Sequence, residues 1–269
     1  MFALSLAALI AYAVAIALLG GWRAVADDDG KPDGSRRIGP LLGMLAALLH
    51  LAAHAWTWQR IGGPDIHIVA ALSLVGAGMA LVTSTVAWGR HFRLLGMVVY
   101  PAAALSVLAY GLFGVHAPES MGWPLQLHAG LALLAYAMLA VAALLALLLW
   151  RQERALRRHE LRTLMHRFPP LTLLESLMFR LIAAGFLVLT LALLSGALFV
   201  DNLFAQHLVH KTVLSILAWL TFCVLLFGRW RYGWRGRRAV RWTLLAMALL
   251  LLAFFGSKFV LEVILQRGI

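Results

Sequence analysis

Cysteine is almost absent from this chain: Cys223 is the only one, and it lies inside an apolar stretch. No disulfide framework and no cysteine-based metal site can be built from it. Acidic residues are scarce as well, 11 against 23 Lys and Arg, and charged residues of both signs make up only 13% of the 269 positions. A soluble domain carries roughly a quarter. With 63% of the chain hydrophobic, there is more apolar surface than one water-soluble core can hide, so the bilayer must be its solvent. Also missing are a glycine-rich phosphate loop, a zinc-protease helix and a nucleophile motif. A hydrolytic activity is not expected, and the chain reads as a non-enzyme.

What is present is long apolar runs. Crossing about 30 Å of hydrocarbon takes about 20 helical residues, and eight stretches approach that length: 2–20, 40–58, 66–88, 94–113, 125–150, 177–200, 211–227 and 241–262. β-Barrel spans would alternate in polarity, whereas Leu131 to Leu149 is apolar on every face, so helices are the consistent reading. The expectation is an all-α polytopic membrane protein with about eight transmembrane helices, residues 1–269 forming a single transmembrane helical domain. Ala24-Val25-Ala26 resembles a signal cleavage site, but no Lys or Arg precedes the first apolar run, so cleavage is not expected. No internal repeat relates residues 1–120 to residues 125–269.

The basic residues are unevenly distributed. The odd-numbered connections hold 19 Lys and Arg, whereas the even-numbered ones hold only Arg60 and Lys211; Lys258 and Arg267 lie near the C-terminus. The positive-inside rule puts the odd connections in the cytoplasm and both termini outside. Retention and attraction to anionic lipid account for the charge, and no nucleic-acid partner is expected. Arg151 to Arg167 reads as a basic amphipathic extension of the fifth helix. Pro169-Pro170 stops it, and Thr172 to Glu175 has capping-box spacing for the next helix. Gly233-Trp234-Arg235-Gly236 reads as a tight, Trp-anchored turn.

On that topology His91, His159 and His166 fall inside. The other seven of the ten histidines, His50, His54, His67, His116, His128, His207 and His210, fall in outer loops or the outer parts of spans. At about 1.5 Å per residue, His54 lies about 22 Å and His50 about 16 Å from Gly39, and their i, i+4 spacing puts them on one face. One such histidine is ordinarily an interfacial residue bonded to water or a neighbouring helix. Seven together are harder to dismiss, because intramembrane ionisable residues are costly enough to be functional suspects and imidazole is a common metal ligand and a haem axial ligand. A bare divalent ion prefers three or four ligands, often with carboxylates, and the outer side offers few acids: Asp65, Glu119, Asp201 and Glu262. Haem needs one or two histidines and an apolar slot, which Trp56, Trp58, Trp123, Phe113, Phe199 and Phe204 permit, although an interfacial aromatic belt looks the same.

Four segments, Leu125 to Tyr136 around His128, Pro169 to Arg180, His210 to Trp219, and Gly233 to Arg237 with Phe254-Phe255-Gly256, together resemble the cytochrome c assembly family of haem-handling membrane proteins, in its short branch. The resemblance spans essentially the whole chain and is clearest over residues 125–256. It implies that His128 is an axial ligand to haem iron on the outer face. The long relatives carry a tryptophan-rich outer loop where this chain has residues 200–209. They also carry a histidine near the inner end of the following span, where Phe227-Gly228-Arg229 stands, and a further one with no counterpart after Gly256. The full apparatus for delivering haem to apocytochrome c is therefore not expected.

The resulting expectation is a multi-pass protein of the bacterial inner membrane that binds b-type haem at its outer side. His128 is the iron ligand, and His54, His210, His207 and His50 are further site residues. Its partners are haem, the bilayer and proteins of cytochrome c maturation or another haem pathway. The competing expectation is a transporter, or an accessory or regulatory protein, using the outer histidines for protons or metal.

Overall fold

The computed structural model describes residues 2–21, 33–86, 93–116, 121–157, 170–199 and 209–259. His91, His159, His166 and His207 lie outside them, as do Pro169, Glu119, Asp201, Phe204, Glu262 and most of the basic segment after Arg157. The described residues form eight helices and no strand: α1 Phe2–Gly21, α2 Asp33–Ile61, α3 Ile68–Val86, α4 Arg93–Phe113, α5 Trp123–Arg157, α6 Leu171–Phe199, α7 Val209–Tyr232 and α8 Gly236–Leu251. Each of the eight is long and apolar enough to cross a membrane, α8 together with the turn that follows it.

The chain divides into two compact units, Met1–Ser120 and Met121–Ile269. In the first, α1 packs on α2 and α4, and α3 packs on α2 and α4. In the second, α5 packs on α6 and α8, and α7 packs on α6 and α8. Each unit is a ring of four helices. The first unit buries many alanines, among them Ala8, Ala15, Ala46, Ala47, Ala70, Ala77 and Ala80. Lipid chains are as apolar as leucine, so burying leucine gains little there; small residues instead let helices approach closely enough for dispersion and interhelical hydrogen bonds to act. One stripe of α6 leucines, Leu187, Leu191, Leu194 and Leu198, faces outward, while Leu174, Leu181 and Leu189 of the same helix are buried.

Several helices run past the apolar windows. α5 continues to Arg157, so the first turns of the expected basic extension are a direct prolongation of the span. α6 begins at Leu171, where the amides of Leu173 and Leu174 donate to the Pro170 carbonyl. The expected capping box does not form, because Thr172 already lies inside the helix. Glu175 is engaged elsewhere: its Oε1 accepts from Arg229 Nη1 at 2.6 Å and lies 3.6 Å from Arg235 Nε, and its Oε2 accepts from the Gly236 amide at 3.4 Å. A carboxylate that neutralises guanidinium groups from the end of α7 and the start of α8 gains more than one reaching back to its own helix terminus.

The α7–α8 turn is anchored by tryptophan as expected. Gly233 has φ of 65°, its amide donates to the Arg229 carbonyl, and the Trp234 amide donates to the Gly228 carbonyl. The Trp234 ring lies where a side chain on Gly228 would have to be, 2.5 Å from a built Cβ. At its far end α8 passes into a π-helical turn, Leu252–Gly256. The Tyr136 hydroxyl on α5 donates to the Leu250 carbonyl just before that turn, and its ring packs against Phe254 and Phe255.

Candidate functional site

His128 lies five residues into α5, about 7.5 Å along the axis from Trp123. It is half-buried against α6. Its Nδ1 is 2.8 Å from the Ala192 carbonyl and 3.2 Å from Ser195 Oγ. The Ser195 hydroxyl itself donates to the Ala192 carbonyl, so Nδ1 carries the proton and donates to that carbonyl. A neutral imidazole has one N–H, and Nε2 is therefore the nitrogen with a lone pair for a ligand. The ring fits there because residue 196 is glycine: a Cβ would stand 2.9 Å from His128 Cε1. Exposed Trp123 and half-exposed Phe199 pair at 6.0 Å between ring centroids at the same end of α5 and α6.

This arrangement, in which a hydrogen bond from Nδ1 to a backbone carbonyl fixes the tautomer and orientation of the ring, is one that metal-ligating histidines also use. It suits haem iron, which needs an axial imidazole beside apolar and aromatic surface. His210, in the first turn of α7, is exposed.

His50 and His54 belong to the first unit and are 0% and 1% exposed. As their spacing predicts, they share a face of α2, with ring centroids 5.6 Å apart. Both Nε2 atoms converge on Ser73 Oγ of α3, at 2.7 Å for His50 and 3.0 Å for His54. The hydroxyl has one proton, so it donates to one imidazole and accepts from the other. The Tyr12 hydroxyl approaches His50 Nδ1 to 3.5 Å. The remaining nitrogen, His54 Nδ1, is buried without a partner.

The rings continue beyond this pair. His54 stacks on Tyr110 at 4.3 Å, Tyr110 lies 5.9 Å from His67, and His67 lies 4.0 Å from His116. Asp65, 1% exposed, ties that end together. Its Oδ1 accepts from His67 Nδ1 at 2.6 Å, and its Oδ2 accepts from the Tyr110 hydroxyl and the His116 amide, each at 3.2 Å. Burial pushes the Asp65 carboxyl up, but the hydrogen bond and charge of His67, with the backbone amides of His116 and His67, outweigh it. The net effect holds the carboxyl below its ordinary range. Asp65, His67 and His116 are each visible in the sequence, but their grouping is not. The available signal was Pro64-Asp65-Ile66-His67 directly before α3; His116 joins only through the fold.

The helices and the histidines at their ends and within them define a polytopic membrane protein built to place imidazoles against apolar surface. The chain belongs to the cytochrome c assembly protein family: the family model described as "Cytochrome C assembly protein" matches residues 38–265. It is 33% identical to "Inner membrane protein YpjD" of Escherichia coli (strain K12), over 97% of this chain and 98% of that one. An "Uncharacterized 28.8 kDa protein in nifR3-like 5'region" of Azospirillum brasilense is 33% identical over 73% of each chain. "Cytochrome c biogenesis protein CcsA" of Synechococcus sp. (strain CC9311) is 35% identical over 24% of this chain and 22% of its own. No solved structure matches the chain.

Proposed function

We propose that this protein binds b-type haem through His128 at the outer side of a bacterial inner membrane and handles haem for cytochrome c maturation or a related haem pathway. The observation that carries the reading is the His128 tautomer, with Nδ1–H donated to the Ala192 carbonyl and Nε2 left for iron. Haem supplies an iron centre whose coordination and redox state the protein tunes through such ligands. The binding is non-covalent, because thioether attachment needs a C-x-x-C-H pair of thiols and Cys223 stands alone. His210 and His207 are candidate second ligands. Of the α2 pair, His54 keeps a free nitrogen, whereas both nitrogens of His50 face hydroxyl partners.

The outer placement rests on the 19-to-2 distribution of basic residues. Labelling from outside, in a Cys223→Ser background, modifies Glu119→Cys and spares Arg162→Cys; the reverse pattern overturns the orientation. For the cofactor, the purified protein gives a Soret band and the pyridine haemochrome of haem b, and a preparation that takes up no haem sinks the reading.

A further inference from the structure

Asp65, His67 and His116 come together where the α2–α3 connection meets the end of α4. One ligand atom from each lies within 4.8 Å of the others. The His67 side chain is only 10% exposed; its Nδ1 is held by Asp65 at 2.6 Å, and its Nε2 is buried with no hydrogen-bond partner. An orphaned imidazole nitrogen is costly to bury unless something binds it. The carboxylate behind the ring fixes the tautomer with its lone pair on Nε2, the pattern of carboxylate–histidine–metal sites. The second imidazole, His116, lies 4.0 Å away between ring centroids on an exposed, non-helical segment, so it can turn its nitrogen inward and leave remaining positions to water.

We propose that this cluster binds one divalent transition ion of the zinc, nickel and copper class, with His67 Nε2 and the His116 imidazole as ligands and Asp65 as the carboxylate that positions His67. Imidazole nitrogens select these borderline ions over magnesium or calcium, which require oxygen ligands. The site is separate from His128 and does not rest on the haem reading.

The test is calorimetric titration of zinc into the full-length, tag-free protein in detergent, stripped beforehand with chelator. Wild type takes up one equivalent saturably at this site. His116→Ala, which removes an exposed side chain and keeps the backbone amide that Asp65 uses, weakens binding at least about tenfold while its chelator-treated melting temperature stays that of wild type. His67→Ala abolishes the site, and Asp65→Asn weakens it by about 10- to 100-fold. His128→Ala retains the zinc isotherm, so a failure of the haem reading and a failure of this one are distinguishable. Absence of saturable zinc binding in wild type overturns the proposal, as does wild-type affinity and stoichiometry in either His67→Ala or His116→Ala.

Discussion

The His50–His54 pair of the first unit and His128 of the second use their ring nitrogens differently. In the first, His50 and His54 lie between helices with their Nε2 atoms joined through Ser73, so the imidazoles act as interhelical connectors. In the second, His128 bonds a backbone carbonyl through Nδ1, which leaves the lone pair on Nε2. Burial alone does not distinguish a functional histidine from a structural one. The deciding question is which ring nitrogen has a partner, and what that partner leaves free.

Substitutions on either side sharpen this contrast. The largest effect is expected from Gly196→Val, which places a branched side chain where a single Cβ already stands 2.9 Å from the His128 ring. Haem affinity in the purified, folded variant falls at least about tenfold, as when a supporting group around a metal ligand is lost. A Soret titration that overlays the wild type would break the link between Gly196 and ligand placement.

A smaller, purely structural effect is expected in the first unit. Ser73→Ala removes the partner of both imidazoles and lowers stability by on the order of 1 kcal/mol per hydrogen bond. It reads out as a drop of a few degrees in melting temperature with an unchanged haem spectrum. An altered spectrum would place Ser73 and its histidines in the cofactor site and erase the contrast. Glu175→Gln in the second unit also lowers the melting temperature, by weakening the tie among α6, α7 and α8, and a variant as stable as wild type would show the ion pair to be idle. The smallest effect is His159→Ala, expected to leave both haem occupancy and stability unchanged; a lost Soret band there would contradict the assignment of ligands to the opposite side.

The eight helices were legible because the bilayer fixes both length and composition of a span: the stretch 2–20 became Phe2–Gly21 and 94–113 became Arg93–Phe113. Helix ends were less so. The sixth apolar stretch starts at 177 while α6 starts at Leu171, because hydropathy registers hydrocarbon whereas backbone hydrogen bonding continues into the charged layer that Glu175 and Arg229 organise. The α2 histidine pair was legible from spacing within one helix. Its partner Ser73 was not, and neither was the meeting of His116 with Asp65 across 51 residues, since contacts between helices leave no local periodicity in the chain. The shared family pointed to His128; only the fold revealed the carbonyl and the glycine that orient it.

Whether His128 Nε2 holds haem iron is tested most directly by comparing oxidised and reduced absorption spectra of wild type and His128→Ala, each first shown to be inserted and folded. Deleting the imidazole removes a bond to iron, so the variant is predicted to lose haem or shift its Soret and α bands, and added free imidazole to restore the wild-type spectrum. A folded His128→Ala protein with wild-type haem occupancy and identical oxidised and reduced spectra would contradict the account.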